Sequence, residues 1–429
     1  MISPDDAELA ARDPSLPGLA TVFDGAAMEG ALRAALPGRK LGAVHPRYAR
    51  WKPGHSAVVA YELELDGGEL WAYARAHTRR RFAGLEKRLS TDEEAPGPFG
   101  PGVVPLAGPA VAVRAFSGDR RLRSLRLLAD EGARGSLLAQ VAPGRPELSR
   151  ARLEPLRYWP ERRFVARLGG AGEPVLLKAY AEQLYPRAAR AGTALTSGEA
   201  LRLARALGSS DRHGVLAFEW LHGHPLTEAL VEPKHDSGLP AAVAAALAEL
   251  HRRPGSSLPL EDPREHGRLL ERRAAWIGRV CDDVAAPARG LAGRLAAELA
   301  AGPPGQVAVH GDFSPKQVLV AAESVSIIDL DDACRGHPEL DLGTFLADLE
   351  ARVVAGGLTR ARADAVAAAL LDEYRRRAGP VDAARLRTCL AAGLLGRAAS
   401  GFRNRTLGWR SHLPGLVQRA ERILDQGLE

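Results

Sequence analysis

Cysteine is nearly absent from this 429-residue chain: Cys281, Cys334 and Cys389 are the only three, and they lie far apart. Neither a disulfide framework nor a zinc-binding spacing can be built from them, which points to a reduced, cytoplasmic protein. No run approaches the roughly 20 uninterrupted apolar residues that a membrane span needs, so no membrane partner is expected. The first thirty residues, opening Met1-Ile2-Ser3-Pro4-Asp5-Asp6, show no basic stretch followed by an apolar one, and no secretory signal is expected. Lysine is scarce too. Only six of the 58 basic residues are lysine, so arginine serves wherever a generic positive charge suffices. A lysine inside an apolar strand therefore calls for a specific reason.

The chain is 46% apolar and carries a net charge of +6. It is long enough to bury a large core in two or three subdomains. Excess positive charge invites a nucleic-acid reading. However, the basic residues are spread along helices and interleaved with Glu and Asp, and runs such as Arg79-Arg80-Arg81 and Arg375-Arg376-Arg377 read as solvated helix faces, so no nucleic-acid partner is expected.

The most informative stretch is Val309-His310-Gly311-Asp312-Phe313-Ser314-Pro315-Lys316-Gln317-Val318-Leu319-Val320, followed by Val325-Ser326-Ile327-Ile328-Asp329-Leu330-Asp331-Asp332. Apolar β-type runs flank two leading carboxylates, with an amide side chain five residues after the first. Such a set can orient and deprotonate a hydroxyl through one Asp while an amide and a second Asp hold Mg²⁺ on nucleotide phosphates. The plainer alternative is a β-hairpin whose Asp residues cap turns. With Gly311 in place of the protein-kinase Arg, the stretch resembles the aminoglycoside phosphotransferase/choline kinase-like family. Gln317 stands where that family usually has Asn, a feature shared with maltokinase-like sugar kinases; Gln offers the same carbonyl ligand on a longer stem.

The resemblance implies a nucleotide-binding strand pair upstream. Arg163 to Leu168 and Pro174 to Tyr180 read as a hairpin around Gly169-Gly170-Ala171-Gly172. In this pair Lys178 is the lysine that would reach the nucleotide phosphates, and the turn Pro160-Glu161-Arg162-Arg163 would cover them. A helix expected from Tyr185 to Leu207 carries Glu199, the candidate ion-pair partner of Lys178. Glu219, Trp220 and Leu221 then form the linker whose backbone would meet the purine, Trp220 serving as wall or core. His222 and His224 lack matching ligands for a metal site.

The layout occurs twice. Arg50-Trp51-Lys52-Pro53 parallels Arg157-Tyr158-Trp159-Pro160, Asp66-Gly67-Gly68 parallels Gly169-Gly170, and Val111 to Gly118 parallels Leu216 to Gly223. This collinearity implies an internal duplication. In the first copy Arg75 or a neighbour falls where Lys178 should be, so that copy should not bind nucleotide productively. A cap or docking module is the expectation, and maltokinase-like enzymes also carry an extra N-terminal subdomain.

A turn-rich segment, Glu232 to Gly238, precedes a helix Leu239 to His251, with further helices at about 267–284, 287–301, 360–378, 382–400 and 413–427. Asp341, in a Gly-x-Pro-x-x-Asp-Leu stretch, is expected to cap its helix and brace the catalytic loop. Asp348, Glu350 and Arg403-Asn404-Arg405 are candidate acceptor contacts.

The fold expected is therefore α+β and bilobal, protein-kinase-like: a small antiparallel-sheet lobe and a large helical lobe, preceded by a degenerate duplicate of the small lobe. The segments would be 1–140 (cap), 141–230 (nucleotide lobe and linker) and 231–429 (catalytic and acceptor-binding lobe). The implied activity is transfer of the γ-phosphoryl group of ATP, or GTP, to a small-molecule hydroxyl such as a sugar, aminocyclitol or aminoglycoside-like compound. Asp312 would be the base, and Gln317 and Asp329 the Mg²⁺ ligands. A kinase-like scaffold without transfer activity and a peptide Ser/Thr-modifying kinase are the alternatives.

Overall fold

Alternation of apolar residues gives the first third five strands: β1 (Leu41–Lys52), β2 (Ser56–Leu65), β3 (Gly68–His77), β4 (Val104–Leu106) and β5 (Val111–Ala115). They form one antiparallel sheet in the order β1-β2-β3-β5-β4. The next strands are β6 (Arg152–Trp159), β7 (Arg163–Gly169), β8 (Val175–Tyr180), β9 (Arg202–Leu203), β10 (Ala206–Ser210) and β11 (Val215–Glu219). Apart from β9, they make a second sheet in the order β6-β7-β8-β11-β10. Strand for strand, this is the order of the first sheet. The duplication inferred from sequence is thus a duplication of topology.

The computed structural model describes residues 2–90, 96–170, 172–231, 238–253, 255–321 and 324–427. Ala171 and residues 232–237, both read above as turns, lie outside the described residues. The chain divides into two compact units. The first comprises Met1–Tyr185, Leu207–Phe218 and Gly401–Trp409; the second comprises Pro186–Ala206, Glu219–Ser400 and Arg410–Glu429.

In the first unit the two sheets share one core rather than forming separate cap and nucleotide segments. Tyr48, Val58, Ala60 and Tyr73 of the first sheet pack with Tyr158, Phe164, Ala166 and Leu177 of the second. Edge-to-face rings join them, Tyr73 to Tyr158 at 6.2 Å and Tyr48 to Trp159 at 6.5 Å. Ser56 to Tyr61 of β2 are buried without alternation, as befits a strand covered on both faces. Segment 401–409 completes this unit: Arg405 donates to the Asp6 carboxylate at 2.5 Å, and Phe402 packs edge-on against Phe23.

The second unit is mainly helical: Leu239–His251, Pro263–Val280, Ala285–Ala300, Pro338–Val354, Arg360–Ala378, Ala383–Arg397 and Leu413–Gln426. Helix starts obey local chemistry. Asp262, Thr359 and Asp382 each accept a first-turn N–H, and Pro263 and Pro338 occupy first-turn positions where a missing N–H is harmless. Among these helices run short strands: β12 (His224–Pro225), β13 (Val307–Val309), β14 (Val318–Ala321), β15 (Ser324–Ile327) and β16 (Cys334–Gly336). β14 pairs antiparallel with β15 and with β12, while β13 pairs with β16. The α+β class is as expected. Among the described residues no helix is long and apolar enough to cross a membrane.

Candidate active site

In the second unit the strands β13 and β14 bracket the loop carrying Asp312, and β15 and β16 bracket the loop carrying Asp329. Two hydrogen bonds join the two loops and a third stiffens the first loop internally. The Ile328 N–H donates to the Gln317 carbonyl at 2.9 Å, His310 Nε2 meets the Ile328 carbonyl at 2.9 Å, and the Asp312 N–H donates to His310 Nδ1 at 3.3 Å. The loop of Asp312 and Gln317 is thereby held beside the loop of Asp329. Gly311 has φ +83, and a Cβ there would lie 2.3 Å from the Asp332 carbonyl oxygen. That close approach explains locally why glycine stands between His310 and Asp312. Asp329 itself is left-handed, with φ 65. For a residue bearing a side chain this costs of order 1–3 kcal/mol and persists only where the surroundings impose it, typically at functional sites.

The loop is braced from behind by a buried network. Asp341, fully buried, accepts from the N–H of His310 at 2.6 Å and of Gly311 at 2.9 Å. The same carboxylate meets His251 Nε2 at 3.0 Å, and the other nitrogen of that ring meets the Tyr374 hydroxyl at 2.7 Å. Burial, followed by the charges of Glu339 and Asp341, holds the Tyr374 phenol well above its ordinary pKa, so it stays a protonated partner.

Negative charge is concentrated here. Desolvation raises the pKa of Asp332, and the carboxylates of Asp312, Asp331 and Asp329 raise it further, against the lowering by Arg187. Arg187 also donates to the Asp332 carbonyl at 2.6 Å. The two residues expected to hold a metal, Gln317 and Asp329, would offer only oxygen donors, an amide and a carboxylate, amid crowded negative charge that a divalent cation would relieve. Such donors fit Mg²⁺, which keeps waters and phosphate oxygens among its ligands.

In the first unit Lys178 is 6% exposed, in the middle of β8 opposite Val165 of β7, with its ammonium 5.7 Å from the Phe218 ring centroid. Glu219 ends β11, and Trp220 to Gly223 continue as a linker without regular structure. The Glu219 N–H is committed to the Arg205 carbonyl at 3.0 Å. At Gly223 a Cβ would come within 2.9 Å of the Val320 carbonyl oxygen, so the linker lies tightly against β14.

A family model for the phosphotransferase enzyme family matches residues 117–380, more than half of the chain. The chain belongs to this phosphotransferase family. Solved structures similar to this family member include a choline/ethanolamine kinase family protein from Mesorhizobium loti, at 19% identity with a TM-score of 0.45, covering 68% of this chain and 94% of that one. A putative aminoglycoside phosphotransferase from Ralstonia eutropha matches at 15% identity and TM-score 0.49, covering 70% and 99%. A choline kinase from Cryptosporidium parvum matches at 11% and 0.48, covering 70% and 97%. No curated protein matches.

Several sequence expectations for this phosphotransferase family member need correction. The helix expected to run from Tyr185 to Leu207 stops at Ala194, and Glu199 lies exposed in the bend beyond it, its N–H donated to Glu249 at 3.1 Å. Ser197, Gly198 and a return into β9 break the helix, so Glu199 loses the scaffold on which its pairing with Lys178 was based. Asp341 braces the loop as expected but does not cap its helix; His337 holds the N-cap position. Two of the acceptor candidates are consumed internally. Glu350, 6% exposed, is gripped by Arg360 at 2.6 Å and Arg419 at 2.8 Å, and Arg405 is bound to Asp6. Asp348 pairs with Arg352 at 2.6 Å; burial would raise its pKa, and the guanidinium groups of Arg397 and Arg352 outweigh that and lower it.

Sequence reasoning missed the brace role of His251 and Tyr374. The helix ending at His251 was expected, but nothing local says that its ring reaches 90 residues downstream.

Proposed function

We propose that this chain transfers the γ-phosphoryl group of ATP, or GTP, to a hydroxyl of a small polar molecule of the sugar, aminocyclitol or aminoglycoside-like class. Asp312 takes the proton as the acceptor oxygen bonds to the γ-phosphorus. The bond from that phosphorus to the β,γ-bridging oxygen breaks, and the nucleoside diphosphate leaves with the electron pair. Gln317 and Asp329 would hold Mg²⁺, which supplies charge neutralisation on the phosphate oxygens when bound. Lys178 contributes a compact positive charge to the phosphates. The backbone of 219–221 serves the purine through the Glu219 carbonyl and the following amides, since the Glu219 N–H is already donated. Positioning and electrostatics supply most of the rate.

The observation that carries the reading is the pair of hydrogen bonds joining the loops of Asp312 and Asp329, with Asp341 bracing the first loop from behind. The test is ATP-dependent phosphorylation screened against sugars, aminoglycosides and peptides, with the Asp312→Asn variant alongside. The variant should lose about 10²- to 10⁴-fold in turnover while keeping nucleotide affinity, because a proton acceptor is removed and a metal ligand is not. Unchanged turnover would remove Asp312 from the role of base, and transfer to peptides alone would replace the acceptor class.

A further inference from the structure

The turn between β6 and β7, Pro160-Glu161-Arg162, is held in an unusual way. Glu161 has φ 64, the left-handed region that favours glycine. The matching turn of the first sheet, between β1 and β2, reads Pro53-Gly54-His55 and carries a glycine with φ 67 at that position. Lys52 pairs with Ser56 across one turn and Trp159 with Arg163 across the other, so the two turns have the same register. A carboxylate side chain therefore stands at 161 against the local backbone preference.

What holds it comes from the first sheet. Glu161, 8% exposed, is paired with Arg50 of β1 at 3.0 Å and with Arg75 of β3. Arg75 lies opposite Val58, two residues into β2, as Lys178 lies opposite Val165, two residues into β7. The arginine at the lysine position of the first copy thus grips a carboxylate of the second copy. The Glu161 N–H is captured as well, donating to Asp119 Oδ2 at 2.7 Å, and the Tyr158 hydroxyl donates to the same oxygen at 2.8 Å. Asp119 is 3% exposed and is itself fixed by the N–H groups of Arg121 and Leu122. It follows Phe116-Ser117-Gly118, the segment that parallels Leu221-His222-Gly223. Both places where the first copy would hold a nucleotide, its lysine position and its linker, are engaged with this turn.

We propose that Glu161 is a positioning residue through which the first copy fixes the β6–β7 turn and so sets nucleotide affinity in the second. This rests on the reading of Lys178 and the β6–β7 turn as the phosphate-holding elements. The first copy's would-be anion site is filled by an internal carboxylate, and the grip replaces the glycine-rich flexibility absent from this turn. The pairings are partly buried, so they resist screening better than a surface ion pair.

The test uses Glu161→Gly in the full chain, because glycine suits the backbone at this position and preserves folding while the grip is lost. Arg75→Gln, which keeps a hydrogen-bond donor on β3, is the second variant. Nucleotide affinity is titrated with Mg·ADP, KM for ATP and kcat are measured separately, and thermal unfolding is followed in parallel. Expected is a loss of about 5- to 20-fold in nucleotide affinity for each variant, a typical size for coupling between sites. The loss should fall on KM for ATP rather than on kcat, and the double variant should be no weaker than the worse single one, since both remove one grip. Affinity within twofold of wild type in a folded Glu161→Gly protein would overturn this inference alone. Wild type failing to bind Mg·ADP would overturn the nucleotide reading beneath it as well.

Discussion

The two five-stranded sheets of the first unit share strand order, turn register and even a left-handed residue at the same turn position, Gly54 in one and Glu161 in the other. They differ in the side chains that chemistry would use. At matching strand positions stand Arg75 and Lys178, and two residue pairs further along β3 and β8 stand His77 opposite Ser56 and Tyr180 opposite Arg163. Only the second sheet is followed in sequence by a loop of the His310-Gly311-Asp312 kind. Architecture was kept in both copies because a sheet is specified by apolar strands and their turns, which tolerate many side chains. Function hangs on single positions. A planar, multi-donor guanidinium and a compact ammonium at the same place serve different partners, one a carboxylate of the neighbouring sheet and the other, in our reading, a phosphate.

The comparison can be broken first at its sharpest point. Lys178→Arg gives the second copy the side chain of the first, and turnover should fall by about 10²-fold or more, the scale for losing a preorganised charge contact on the transferring group. Steady-state phosphorylation checks this; a variant retaining most activity would mean that the two positions are chemically equivalent. A smaller effect is expected at Gln317, which has no counterpart behind the first sheet. Gln317→Ala should raise the Mg²⁺ requirement and lower turnover by roughly tenfold, while Gln317→Asn keeps substantial activity. Identical Mg²⁺ dependence for Gln317→Ala and wild type would argue against its being a ligand and would favour a scaffold role.

The smallest effect concerns His77, whose pKa is lowered to about 4, chiefly by desolvation and then by the charges of Arg75, Arg114, Arg81 and Arg88. Its folded pKa lies below the unfolded value of about 6.5. The unfolded chain therefore binds a proton that the folded chain does not, and stability is lost as pH falls from about 6.5 toward 4. His77→Tyr, which copies the residue of the second sheet, should flatten that decline. The melting temperature lost between pH 7.5 and pH 5 should shrink by about 2 °C, and equal pH slopes would remove His77 from the account.

Much of this was legible in the sequence because it is local. The alternation of β1 to β3, the two turn sequences, the His310-Gly311-Asp312 loop and the helical stretches each declare themselves within a dozen residues. The helix ending at Ala194 was overextended because Ala, Leu and Arg continue past it as good helix formers. There the pairing of β9 with β15 and the hold of Glu249 on residues 199 and 200 override propensity. Long-range pairings were invisible for the same reason. Arg405 reaching Asp6, Arg360 and Arg419 converging on Glu350, and His251 reaching Asp341 depend on how distant segments pack, and no spacing in the chain encodes them.

The central claim is that one copy of the sheet binds nucleotide and the other only holds it in place. Calorimetric titration of the wild-type protein with Mg·ADP, repeated on Lys178→Ala, tests this most directly. One site per chain is expected in the wild type, with loss or strong weakening of that site in the variant. A second stoichiometric site, surviving Lys178→Ala, would contradict it and make the first sheet a nucleotide site in its own right.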